Sequence, residues 1–119
     1  HVQDVKYWPT SIEAQLLTGR AGDFLLNLPP DTKLDVEKSR HDPKLERRYL
    51  RIEPKEPVEK PIGEWNECEI TCTGNDIVFA VNGVKVNEGK NCSFAKGRIA
   101  LQSEGAEVHF KDIAIKKLK

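Results

Sequence analysis

The feature that most constrains this chain is Asn82-Gly83, set between two alternating apolar runs. Ile77, Phe79 and Val81 lead into it, and Val84 and Val86 follow. Asn and Gly tolerate the positive φ angles that a two-residue hairpin turn demands, and such a turn matches the twist of paired strands. It sets Val81 against Val84 and Phe79 against Val86, which puts all five apolar side chains on one face. Upstream, Cys68, Ile70 and Cys72 alternate with Glu67, Glu69 and Thr71, the period of a half-buried strand. Gly74-Asn75-Asp76 between them is a turn signal. Downstream, Ile99 and Leu101 oppose Arg98, Ala100, Gln102 and Glu104, and Val108 and Phe110 alternate with Glu107, His109 and Lys111 before Ile113 and Ile115. Short strands at this spacing predict an all-β sandwich or barrel of six to eight strands with little helix.

The first 28 residues repeat the theme. Ile12, Ala14 and Leu16 alternate with Ser11, Glu13 and Gln15, Gly19 to Gly22 supplies a turn, and Asp23 to Leu28 reads as a second strand. The character then changes. Residues 29–64 hold six of the seven prolines and 18 of the 38 charged residues. This excursion predicts one modest strand, Tyr49 to Ile52, and otherwise a charged surface loop with at most a helical turn in 31–47. At 119 residues the chain is expected to form a single domain, 1–119, with the excursion at 29–64 as an elaboration.

Charge and hydropathy exclude several classes. Nineteen basic and 19 acidic residues cancel, so the field that attracts nucleic acid is lacking. No apolar run is long enough for a membrane span. Nothing near the start resembles a signal peptide and the first residue is His1, so the chain reads as a mature or truncated product. There is no glycine-rich phosphate loop, no nucleophile elbow and no histidine pair at metal-ligand spacing. Four residues apart on a strand, Cys68 and Cys72 lie roughly 13 Å from each other. That is beyond the roughly 7 Å a disulfide tolerates. Both are expected to fill core space, while Cys92 is the odd thiol, in a loop, with a bridge to either of them left open.

The chemistry-bearing feature is a pair of polar rows. Ser11, Glu13 and Gln15 share one side of a strand whose other side is apolar, and Gln102 and Glu104 do the same on a later strand. On one curved sheet these rows converge as two carboxylates and two amides, equipment for holding sugar hydroxyls and for acid–base work where burial raises a carboxylate pKa. On two separate surfaces they are merely the wetted side of a sheet. Trp8, just before the Glu13 strand, either stacks on a pyranose ring or packs at the strand end.

Two sets of segments together resemble a known family. The first is Trp8-Pro9-Thr10-Ser11-Ile12-Glu13-Ala14-Gln15 followed by Ala21-Gly22-Asp23-Phe24. The second is Gly63-Glu64-Trp65-Asn66, Val81-Asn82-Gly83 and the run from Lys96-Gly97-Arg98-Ile99 through Leu101-Gln102-Ser103-Glu104-Gly105. Each is weak alone; in this order and spacing they resemble the 3-keto-disaccharide hydrolase family, concanavalin A-like jelly-roll domains common among secreted bacterial proteins. The likeness spans nearly the whole chain apart from the excursion. Family members begin with further strands that precede the position of His1. The resemblance therefore implies a jelly roll incomplete at its N-terminus, either a fragment or one completed by another chain.

The resemblance also implies a substrate and a site. The substrate is a glycoside or oligosaccharide oxidised to a ketone at C3, whose acidified C2 hydrogen a base removes as the C1 substituent departs. Glu13 or Glu104 is the implied base. Gln15 and Gln102 hold hydroxyls, Trp8 and His1 neighbour the site, and a divalent metal ion has a place polarising the ketone. Hydrolase and lyase outcomes both stand, in a periplasmic or extracellular setting. The alternative is a non-catalytic carbohydrate-binding, adhesion or accessory module of a larger secreted assembly, since this fold serves lectins as readily as enzymes.

Overall fold

A computed structural model describes residues 9–119. It contains two three-stranded antiparallel sheets. The first has β1 (Ser11–Ala14), β2 (Phe24–Asn27) and the two-residue β3 (Arg48–Tyr49) in that order. The second has β4 (Cys68–Thr73), β5 (Asp76–Val81) and β6 (Val84–Gly89), also in chain order. A three-residue 3-10 turn at Lys38–Arg40 is the helical content among the described residues. The fold is all-β and consistent with a β-sandwich, as the period-two patterns require.

The second sheet is built by its turns. Asn82 and Gly83 take φ of 48° and 80°, the left-handed pair of a tight hairpin turn, and Val81 pairs with Val84 as expected. The register then departs from the sequence-based expectation. Ala80 pairs with Lys85, but Phe79 pairs with Asn87 rather than Val86, because a bulge inserts Val86 into β6. A bulge puts two consecutive side chains on one side, and both Val86 and Asn87 are fully buried. Val86 joins the core anyway, through the bulge rather than through simple alternation.

The two sheets meet through β2 and β5. Phe24 stacks on Phe79 with ring centroids 6.4 Å apart, and Val81, Val86, Ala21, Leu34, Val36 and Cys92 complete the cluster. Ile12, Ala14, Leu26 and Tyr49 pack against it from the first sheet. At Gly22, in the β1–β2 connection, φ is +130° and an added Cβ would lie 2.7 Å from the Cβ of Val86. The backbone there runs directly against the bulge. Asn87 fastens this contact: its Nδ2 donates to the Gly22 carbonyl at 2.8 Å, and its Oδ1 accepts from the Glu88 amide and from Arg40.

The excursion is bound into the molecule. Leu34, Val36 and Asp42 are buried, and three of its arginines reach inward. Arg40 Nη1 donates to Asn87, Arg47 Nη1 to Asn27, and the Arg51 amide to buried Asp23 at 2.8 Å. Arg40 and Arg51 side chains are each only 11% exposed. Glu59 pairs with Arg51 at 3.3 Å and accepts from the amides of Gly19 and Ala21, closing the excursion over the β1–β2 turn. A charged surface loop was the expectation; these charges turn inward because they have partners there.

Two further expectations are corrected. Residues 97–119 form no strand, and Ile99, Leu101, Val108, Phe110, Ile113 and Ile115 are exposed. Alternation fixes which side chains would share a face, but a strand also needs a neighbour to take its backbone hydrogen bonds, and no described segment pairs with this one. Cys68 and Cys72 are exposed rather than core residues, because β4 lies at the sheet edge with its apolar side beyond the packed cluster. Cys92 is the buried thiol, and all three cysteines are free.

Replacing Asn87 by Ala leaves the Gly22 carbonyl and the Arg40 guanidinium without their buried partner. It is expected to cost about 2 kcal/mol of unfolding free energy, measured as a lower urea midpoint at unchanged m-value.

Candidate functional site

Directly paired residues of an antiparallel sheet share a face. Ile12, Ala14, Phe24, Leu26 and Tyr49 point to the core, so Ser11, Glu13, Leu25, Asn27 and Arg48 occupy the opposite face of the first sheet. Its register sets Ser11 against Asn27, and Glu13 against Leu25 and then Arg48. Leu25 is 7% exposed yet outside the core cluster. Leu25 gives Glu13 an apolar neighbour on this face, where Ser11, Glu13, Asn27 and Arg48 are half-buried.

A hydrogen-bonded row crosses the sheet at the Ser11 level. Arg47 Nη1 donates to Asn27 Oδ1, and Asn27 Nδ2 donates to Ser11 Oγ at 3.2 Å. The Arg47 backbone is held as well, its carbonyl accepting from the Leu26 amide at 2.8 Å. Glu13 stands two residues along β1 from Ser11, about 7 Å by strand geometry.

The Glu13 carboxyl has a raised pKa. Burial disfavours its charged form most, the Glu104 carboxylate adds like-charge repulsion, and Arg47 works the other way. Glu104 and Arg47 are thus both near enough to Glu13 to bear on its ionisation. Glu104 arrives from the unpaired 97–119 segment rather than from a neighbouring strand. Gln102 Nε2 donates to Glu104 Oε2 at 3.4 Å, and both residues are exposed. Farther along this segment, Lys111 Nζ sits 4.4 Å from the centre of the half-exposed Trp65 ring, a cation–π contact.

Gln15 caps the same strand. Its backbone amide donates to the Asp23 carbonyl at 2.9 Å and its carbonyl accepts from Gly22 at 3.0 Å. Its side-chain Oε1 is buried with no hydrogen-bond partner among the described residues. His1 and Trp8 lie outside the described residues. Reasoning from sequence missed Asn27 and Arg47. Asn27 follows from alternation, since it shares parity with Leu25 against Phe24 and Leu26. Arg47 carries no local signal; only the chain path brings it to the row.

A hard divalent cation takes six or more oxygen ligands. Among the described residues no group of three or more His, Cys, Asp or Glu is arranged to hold a metal ion. Glu13, Glu104 and Gln102 alone do not make such a cage, and no step is assigned to a metal. Two grooves of about 530 and 730 Å³ lie away from the carboxylates, and Arg47 borders the first.

A family model described as "3-keto-alpha-glucoside-1,2-lyase-like domain" matches residues 1–116, nearly the whole chain. No curated protein matches, and no solved structure matches.

Because the folded-state pKa of Glu13 is raised, the native protein binds more protons there than the unfolded chain between the ordinary carboxylate value of 4.5 and the raised one. Stability from this group therefore falls as pH rises through that window. Glu13→Gln is expected to raise the Tm at pH 7 and to leave it unchanged at pH 3, read by thermal melts. Glu104→Gln removes the repulsion and is expected to lower the Glu13 pKa, read by carbon-detected NMR titration of the Glu13 carboxyl.

Proposed function

The chain belongs to the 3-keto-alpha-glucoside-1,2-lyase-like family, and on that premise we propose that it cleaves the glycosidic bond of a C3-oxidised glycoside, with Glu13 as the base. The observation that supports this most is the raised pKa of half-buried Glu13, with Glu104 and Arg47 near enough to bear on its ionisation. A C3 ketone acidifies the C2 hydrogen. Glu13 takes that proton, the C2–H electron pair delocalises onto the C3 oxygen, and its return expels the C1 substituent. C1 and C2 are left doubly bonded, and the departing oxygen takes a proton from water. Addition of water across that double bond completes hydrolysis; release without it is the lyase outcome.

A raised pKa suits this role, because a carboxylate is a stronger base the closer its pKa lies to the working pH. Gln15 Oε1, buried and without a partner among the described residues, is a ready acceptor for a substrate hydroxyl. Gln102 supplies a donor beside Glu104, and Trp8 and His1 remain candidate neighbours. A jelly-roll topology, completion of the sandwich by further strands, and a periplasmic or extracellular location belong to this proposal.

A second reading, a non-catalytic sugar-binding module, is favoured by the exposure of Gln102 and Glu104 and by grooves that lie elsewhere. The two readings separate in one assay series. An enzyme whose base is Glu13 cleaves a 3-keto-glucoside, and Glu13→Gln lowers kcat by about 10²–10⁴-fold while sugar binding by calorimetry persists. A binding module shows no cleavage at any pH, and Trp8→Ala weakens its affinity.

A further inference from the structure

Arg47 differs from the excursion's other three arginines. Arg40, Arg48 and Arg51 each have a carboxylate within 4 Å, from Glu37, Asp42 and Glu59 respectively. Arg47 has none among the described residues, although it is half-buried. One arm of its guanidinium is fixed by Asn27, which is fixed in turn by Ser11, and its main chain is pinned to β2 through the Leu26 amide. Its other N–H groups make no hydrogen bond to a described residue. The protein thus immobilises a cation on the face that carries Glu13 and leaves much of its donor capacity unspent.

Charge balance says what such a group is for. A cation that served only Glu13 would stabilise the resting carboxylate and weaken the base, opposing the burial that strengthens it. During C2 deprotonation, however, the negative charge leaves Glu13 and reappears on the C3 oxygen. A guanidinium already in place on the same face as the base stabilises such a charge without reorganising, which is how oxyanion donors lower barriers. We propose that Arg47, aimed by Asn27 and Ser11, donates to the C3 oxygen of a 3-keto-sugar and holds its developing charge as Glu13 takes the C2 proton. This rests on the elimination reading above, and it gives the excursion a direct part in the chemistry.

The test is steady-state cleavage of a 3-keto-glucoside by the full-length protein and by Arg47→Gln, Arg47→Lys and Asn27→Ala, each across pH and with folding checked by circular dichroism. Arg47→Gln is expected to lower the pH-independent kcat by roughly 10²–10³-fold. Arg47→Lys, which keeps the charge but not the fork, is expected to recover part of the loss even if the glutamine variant folds poorly. Asn27→Ala, which keeps the cation but loses its aim, is expected to lower kcat by about tenfold. A kcat plateau in Arg47→Gln equal to wild type, with only the acidic limb moved to higher pH, shows that the guanidinium merely sets Glu13 ionisation and overturns the assignment. Failure of the wild-type protein to bind or cleave the substrate overturns the elimination reading itself, and this assignment with it, before any variant is compared.

Discussion

The contact between the β1–β2 connection and the second sheet depends on one extra residue in β6. The bulge at Val86 turns two successive side chains inward. The first is apolar and fills the core against the Gly22 backbone; the second is Asn87, whose amide then holds the Gly22 carbonyl and receives Arg40. A regular hairpin would send one of these side chains outward. With the bulge, a single asparagine links the second sheet, the β1–β2 connection and the excursion. Buried amides carry this kind of burden only when each polar atom is partnered, and both ends of Asn87 are. The connection that leaves the Glu13 strand is thereby fastened to the second sheet.

On that strand the electrostatics are deliberately unbalanced. Burial raises the cost of ionising Glu13, and the Glu104 carboxylate raises it further. A structural protein gains nothing from this, since the pair destabilises the fold at neutral pH. Such arrangements concentrate where proton transfer is needed. Arg47 restrains the imbalance without abolishing it, because it stands at the Ser11–Asn27 level rather than in an ion pair with Glu13.

The parts legible in the sequence are those set by nearest-neighbour geometry. Alternation around Ser11 to Ala14, Phe24 to Asn27 and the Asn82-Gly83 hairpin locates five of the strands and the face of Glu13. What escapes is whatever depends on a distant partner. Val86 looks like the next alternating residue until the Gly22 backbone is placed against it. Residues 97–119 carry a strand's pattern, but no described segment pairs with them. Cys68 and Cys72 sit on an apolar row, but the row lies at an edge that no described segment covers. Arg47 is one charge among 18 in the excursion until the chain path delivers it beside Asn27.

That delivery changes how the excursion is understood. A solvated loop dense in proline and charge costs a domain little and contributes little. This one instead spends three arginines on buried or half-buried partners, at Asn87, at Asn27 and at Asp23 with Glu59. Desolvating a guanidinium is expensive unless its donors are used. Arg40 and Arg51 meet most of that cost with carboxylates and carbonyls close by, although the Nε of each is buried without a partner among the described residues. Arg47 bears less of it: it is half-buried, an amide oxygen holds one arm, and none of its nitrogens is both buried and unpartnered among the described residues. The excursion is therefore a clamp at two of its arginines and a presented charge at the third.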